Sequence, residues 1–336
     1  MTTTAHRVTL STYRNGTEPA ADMTTVDKID LASPAAGQVL VRTTFVQITA
    51  VLADLMREDP GLPMPGYALG EPVWAPAVGT VIESGDAAMP VGTDVAFRAG
   101  GQDHALLSAS EVYPLPTGLP EPYYALNQGV TAFHGIVDIA EVGPDDVVFV
   151  SGAAGGVGSL AGQIAKARGA RMVIGSAGSA AKVDYLVDEL GFDAAINYRD
   201  GDIAGQLAAL APEGITAFFD TVGGTTFEAA VVAAAHGARF ALCGALAGQL
   251  DDGVGAHPRL DVMTAIVKEL VIKPFSTYHT PEQIQAWNSH YGQWLAEGRI
   301  VYPRTVVEGG IDALPGALDE LLAGVHRGNL ILRIAG

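Results

Sequence analysis

Residues 147–179, VVFVSGAAGGVGSLAGQIAKARGARMVIGSAGS, restrict the fold more than any other stretch of this chain. Val147, Val148, Phe149 and Val150 form the continuous apolar run expected of a strand covered on both faces. Gly152, Gly155, Gly156 and Gly158 follow, then a helical pattern to about Arg168, then a second short apolar run at 172–174. Glycine lets the backbone turn sharply and approach a ligand closely. A helix that starts at such a turn aims its first N–H groups at a pyrophosphate. The spacing departs from GxGxxG: Ala153 stands at the first glycine position, with Gly155 and Gly158 at the other two. The strand, turn, helix and second strand together point to a nucleotide site. The alternative is a glycine turn that only packs a βαβ unit.

The end of the second strand bears on which nucleotide is bound. Enzymes that use NAD place an acidic residue about twenty residues on, against the ribose hydroxyls. Here the chain reads Gly175-Ser176-Ala177-Gly178-Ser179 with no acid, and Lys182 follows. A carboxylate would repel a 2′-phosphate, whereas small hydroxyl residues and a lysine would accept one. The expectation is NADPH rather than NADH. Lys182 also fits as a solvated helix residue. Arg199, beside Tyr198, is a second candidate cation for the same phosphate.

At 336 residues the chain has room for two domains, and with 49% apolar residues it can bury a large core without crosslinks. Its single cysteine, Cys243, excludes an intrachain disulfide and a zinc site built from several thiolates. A cytoplasmic setting fits. The N-terminal residues contain no apolar signal core, and no uncharged apolar run reaches about twenty residues. A net charge of −18 argues against nucleic-acid and anionic-membrane partners.

Up to about residue 119 the pattern is short strands (8–10, 39–44, 79–83, 94–97 and 105–107) separated by Pro and Gly, a small β domain. From about 120, helix alternates with strand. Strands are expected at 147–150, 172–174, 194–197, 217–220, 239–243 and 270–275. Helices are expected at 129–139, 156–168, 180–190, 203–209 and 226–235. That alternation predicts an α/β fold with a doubly wound parallel sheet. A long helix after Pro281, a strand at 301–308, a helix at 314–325 and a strand at 329–334 complete the chain.

Several stretches in this order resemble the zinc-independent medium-chain dehydrogenase/reductase superfamily, and within it the NADPH-dependent alkenal, prostaglandin and curcumin double-bond reductases. They are GVTAFHGIVDIAEV (129–142), SGAAGGVGSLAGQIAK (151–166), ELGFDAAINYR (189–199), FFDTVGG (218–224), GARFALCGA (237–245), VKELVIKPFSTYH (267–279) and RGNLILRI (327–334). The resemblance implies a GroES-like β domain over 1–119 and 300–336, a Rossmann domain over 120–299, and a homodimer. It implies that Gly155, Gly156, Val157, Gly158 and Ser159 hold the pyrophosphate. Ser176, Lys182, Tyr198 and Arg199 would surround the 2′-phosphate. Cys243, Gly244, Ala245, Phe275, Ser276, Thr277, Thr131 and Asn329 would line the nicotinamide side. No metal is implied; the histidines form neither an HxH nor an HExxH pair.

The match breaks in three places. Gln249 stands where the family carries a tyrosine near the substrate oxygen. Ala53-Asp54-Leu55-Met56-Arg57 lacks the family's proline-tyrosine pair. Gly100-Gly101-Gln102-Asp103-His104 replaces a glycine-tryptophan motif. These departures suggest retained hydride chemistry with an altered substrate. The expected reaction is conjugate reduction of an enone or enal, in a tailoring enoyl reductase among other settings. Tyr278 is the first candidate donor to the substrate oxygen, with Gln249 and His279 behind it. A quinone oxidoreductase and a non-catalytic NADPH-binding protein are the alternatives.

Overall fold

The computed structural model describes residues 2–250 and 257–334. Internal contacts divide it into two units, one formed by Met1–Asn127 with Arg304–Gly336 and the other by Gln128–Pro303.

The first unit is mainly β. Its strands are β1 (Thr3–Leu10), β2 (Thr24–Leu31), β3 (Gln38–Ile48), β4 (Ala77–Ser84), β5 (Asp94–Phe97), β6 (His104–Ser108) and β7 (Tyr113–Pro114), joined by β14 (Arg304–Glu308) and β15 (Asn329–Arg333) from the end of the chain. β1 and β2 form an antiparallel pair, and the larger sheet runs β14-β15-β3-β4-β5-β7 with β6 also on β3. β2 was not foreseen from the sequence. TTVDKIDL alternates polar and apolar residues and buries none of them, so it lacks the apolar signal of a core strand. Leu55 and Met56, in one of the departing segments, are fully buried in this unit's core. Asp103, in another, is shared by His6 Nδ1 at 2.9 Å and His104 Nδ1 at 3.1 Å.

The second unit carries six parallel strands in the order β10-β9-β8-β11-β12-β13: β8 (Val147–Val150), β9 (Met172–Ala177), β10 (Ala194–Asn197), β11 (Ile215–Asp220), β12 (Ala234–Leu242) and β13 (Val271–Pro274). Strand alternation sends neighbouring residues to opposite faces. Val148, Val150, Phe219 and Ala241 join one core, while Val147, Phe149, Phe218 and Phe240 join the other. Helices Gly156–Ala167 and Pro281–Ala296 cover the first face; Ile203–Leu210 and Gly224–Ala233 cover the second. Both faces of the central strands are therefore apolar, which is why β8 reads as an unbroken hydrophobic run.

Three sequence expectations need correction. The helix expected over 129–139 is α-helical only over Gly129–His134 and continues as a π-helical turn, Gly135–Ile139, closed by Ala140 N–H to Gly135 O at 2.9 Å. The helix expected over 180–190 likewise changes at Tyr185, with Leu190 N–H bonded to Tyr185 O at 3.2 Å. Periodicity near 3.6 does not separate the two hydrogen-bond patterns over so few residues. The helix expected at 226–235 ends at Ala233, and β12 starts at Ala234 rather than Arg239. β13 is the open edge of the sheet, and the nearby helix Val262–Val267 exposes Val262, Met263, Ile266 and Val267. Among the described residues no helix is long and apolar enough to cross a membrane.

Candidate active site

In a doubly wound sheet the ligand lies outside the carboxyl ends of the strands, where strand order reverses. Here that point is between β8 and β11. Ser151, just after β8, donates its hydroxyl to Asp220 Oδ1 at 2.6 Å. The Val222 and Gly223 N–H groups donate to the same oxygen at 2.9 and 3.0 Å. Thr221 N–H reaches Ser151 Oγ at 2.8 Å, and Thr221 Oγ1 donates to Ser151 O at 3.0 Å. The two turns are thus tied side by side. Sequence reasoning missed this network, because Ser151 lies 69 and 70 positions from its partners Asp220 and Thr221.

Burial pushes the Asp220 carboxyl up, against the help of its three donors. A carboxyl raised in the folded state costs no stability at pH values below its unfolded pKa. The cost appears as pH rises from there through the folded value. All three donors go to one oxygen, which an asparagine also offers. Asp220→Asn should therefore melt at the wild-type temperature or a few degrees higher near neutral pH, with the gap closing toward about pH 4. Thermal melts across that range check this, and a clear loss of stability at neutral pH would refute it. Burial, and after it the same carboxylate, push the Cys243 thiol up to about 12. Cys243 is therefore a neutral side chain, not a nucleophile.

The glycine turn is built as its spacing suggested. Gly152 has φ +55°, a left-handed conformation that suits glycine. Gly155 N–H bonds to Gly152 O at 3.0 Å, and Ala153 N–H bonds to Ser176 O on β9 at 2.9 Å. A Cβ on Gly158 would lie 2.5 Å from Gly152 O, so the helix start and the turn touch backbone to backbone. Gly155 is the N-cap of the helix Gly156–Ala167, and no side chain caps it. The first N–H groups, Gly156 and Val157 among them, thus meet no capping side chain. Ser159 is buried, with its hydroxyl directed to Gly156 O at 3.3 Å.

Ser176, near the end of β9, is buried, and beyond the strand Ser179 caps the helix Ala180–Asp184 by accepting Lys182 N–H at 3.4 Å. A Cβ on Gly178 would lie 2.6 Å from the Tyr198 hydroxyl, so the phenol from the end of β10 crosses this turn. The Arg199 guanidinium is 5.9 Å from the Tyr198 ring centre. Ser176 and the Tyr198–Arg199 pair therefore stand at the ends of the adjacent strands β9 and β10, where Ala177 and Asn197 are in register, while Lys182 lies on the helix after β9.

The other half of the sheet holds the remaining candidates of this unit. Cys243 and Gly244 N–H groups bond to Asp220 O at 2.8 and 3.2 Å, and Ala245 O accepts Gly248 N–H at 2.8 Å. Gln249 lies on the short helix Leu246–Leu250. Phe275, just past β13, packs its ring 5.3 Å from His134 and 6.3 Å from Phe219. Ser276, Thr277 and Tyr278 are exposed. The Ser276 hydroxyl accepts Tyr278 N–H at 3.2 Å. Thr131 is buried and its hydroxyl is 2.8 Å from His279 Nε2. Asn329 belongs to the first unit, where it is buried and accepts Gln47 Nε2–H at 3.1 Å.

Residues 156–291 match the family described as zinc-binding dehydrogenase, and residues 6–115 match the N-terminal domain of oxidoreductase. Prostaglandin reductase 1 of Oryctolagus cuniculus is 31% identical over 87% of this chain and 83% of its own length. The chain belongs to the medium-chain dehydrogenase/reductase superfamily. Another relative in this superfamily, the NADPH-dependent curcumin reductase of Escherichia coli (strain K12), is 29% identical over 95% of this chain and 94% of its own. CurA from Vibrio vulnificus superposes with a TM-score of 0.90 at 30% identity, covering 99% of both chains, and its complex with NADPH gives the same score. Although one family description names zinc, no group of three or more His, Cys, Asp or Glu among the described residues could hold a metal ion.

Proposed function

We propose that this chain reduces the carbon–carbon double bond of an α,β-unsaturated ketone or aldehyde, with NADPH as reductant. It is an NADPH-dependent oxidoreductase of the enone-reductase type. The observation that carries the reading is the pairing of an uncapped helix start over a backbone-tight glycine turn with an acid-free turn beside it, crossed by Tyr198. The residues fit the dinucleotide: glycine at 158 lets the uncapped helix start sit directly on the backbone of the turn, and no carboxylate stands at 175–183 to oppose a 2′-phosphate.

When bound, NADPH supplies the hydride that adds to the β-carbon. Gly155, Gly156, Val157, Gly158 and Ser159 form the pyrophosphate turn. Ser176, Lys182, Tyr198 and Arg199 take the 2′-phosphate end. Thr131, Cys243, Gly244, Ala245, Phe275, Ser276 and Thr277 shape the nicotinamide side. By fixing ring and substrate, this scaffold can supply about 7–11 kcal/mol of the barrier through orientation. As the β-carbon gains hydride, charge develops on the carbonyl oxygen, and a proton then reaches the α-carbon. A donor to that oxygen contributes about 3–4 kcal/mol. Tyr278 and Gln249 are candidate donors. Self-association through the open β13 edge and the exposed apolar helix belongs to the same reading, and sedimentation of the NADPH-loaded protein reads it.

The deciding assay follows NADPH oxidation with a medium-chain 2-alkenal, an aryl enone and a quinone, each repeated with NADH. Enone turnover giving the saturated ketone, with NADPH preferred, supports the reading. Turnover of the quinone alone overturns it in favour of a quinone oxidoreductase. Tight NADPH binding without turnover of any of the three substrates counts against it.

A further inference from the structure

Among the described residues, His279 Nδ1 is the one buried side-chain nitrogen or oxygen atom without a hydrogen-bond partner. The ring is otherwise closely held. Thr131 Oγ1 lies 2.8 Å from its Nε2, and the His134 ring centre is 6.0 Å away. His134 is engaged on both ring nitrogens, with Asp138 Oδ2 2.8 Å from its Nδ1 and Gln283 Nε2 3.3 Å from its Nε2. Burial first, then His134, hold the His279 imidazole below its ordinary range, and a contact with Gln283 opposes this without reversing it. The ring is therefore neutral near pH 7 and carries one proton.

The open nitrogen shows where that proton sits. A buried N–H left unmet is a costlier defect than a bare acceptor lone pair. The proton thus belongs on Nε2, facing Thr131, and Nδ1 is the bare nitrogen. A threonine hydroxyl that already accepts a hydrogen bond has its own proton left to donate. Helix Gly129–His134 brings Thr131 to the carboxyl edge of the sheet, where the adjoining Gly135 packs on Phe219 and on Phe275, just past β13. With the phosphates over β8, β9 and β10, this is the half of a doubly wound sheet left for the nicotinamide.

We propose that His279 is a positioning residue: its Nε2–H donates to Thr131 Oγ1 and turns the Thr131 hydroxyl proton toward a carbonyl oxygen bound at the nicotinamide half of the sheet. This deepens the enone-reductase reading and rests on it. The carbonyl comes from one of two sources, the nicotinamide carboxamide or the enone.

The test uses full-length protein carrying His279→Phe, His279→Gln, Thr131→Val or the double variant His279→Phe with Thr131→Val. NADPH affinity is read by fluorescence titration without enone. Turnover is read with 4-phenyl-3-buten-2-one, and ring protonation from the ¹⁵N shifts of His279. His279→Phe should cost about fivefold, the worth of one neutral hydrogen bond. For the carboxamide the loss falls on NADPH affinity; for the enone it falls on kcat with KM nearly unchanged. His279→Gln, whose amide N–H reaches the Nε2 position, should recover to within about twofold of wild type, and the double variant should be no worse than Thr131→Val alone. A protonated Nδ1, a glutamine variant as impaired as the phenylalanine one, or additive losses in the double variant each overturn the proposal. If the protein turns over no enone, the affinity and ¹⁵N measurements still decide: an unchanged NADPH constant overturns the dyad, while a fivefold loss rescued by glutamine upholds it without the enone reading.

Discussion

Lys182→Ala should raise the dissociation constant for NADPH by about 10- to 100-fold and leave that for NADH within about twofold, the range expected when a charge-assisted hydrogen bond is lost. The two cofactors differ only in the 2′-phosphate, so the ratio isolates that group from every other contact. The end of β9 and the turn after it, Ser176 to Ser179, carry no carboxylate, and the Tyr198 phenol closes over Gly178. Lys182 sits one turn into the helix that Ser179 caps. Fluorescence titration with both cofactors measures the effect. Equal loss for NADPH and NADH would remove Lys182 from the phosphate site and leave it a helix residue.

Gly158→Ala should cost at least about tenfold in NADPH affinity, together with about 1–3 kcal/mol of stability from overpacking. The added Cβ would lie 2.5 Å from Gly152 O and 2.9 Å from Ala153 Cα. Both are backbone atoms and cannot swing aside, so the turn must open. Gly155→Ala is the internal control: its Cβ would come no closer than 3.3 Å to Gly152 O, a contact that a small shift relieves. Titration and thermal melts of the two variants separate the cases. Wild-type NADPH binding by Gly158→Ala, with Gly155→Ala the weaker binder, would contradict this account of the turn.

How much was legible depended on the range over which each feature is encoded. The glycine turn and β8 could be read because their signals lie within a dozen residues: four apolar residues, then glycines at fixed spacing. The all-parallel order also followed, since the central strands β8 and β11 are apolar on both faces and the strands alternate with helices. β2 was invisible because half-exposed TTVDKIDL buries nothing. The switch-point network could not be seen, because Ser151 and Asp220 become neighbours only when β8 pairs with β11. Thr131 and His279 are 148 positions apart, and His279 stood behind Tyr278 as a candidate donor. Tyr278 proves to be 60% exposed, whereas His279 holds the buried open nitrogen. The residues that departed from the family pattern in the first unit are partly packing residues: Leu55 and Met56 fill a core, and Asp103 joins two histidines.

The two units differ in how they can be completed during synthesis. Residues 128–303 form one unbroken stretch of chain, so the nucleotide unit can close as soon as it leaves the ribosome. The first unit is split, and β15 lies between β14 and β3 in its sheet. Until Asn329–Arg333 are made, β3 lacks its β15 neighbour, while the nucleotide unit is already whole. A ribosome stalled before residue 329 would therefore carry a chain whose second unit is closed before its β unit is complete, and damage to the last strand would reach the β unit first.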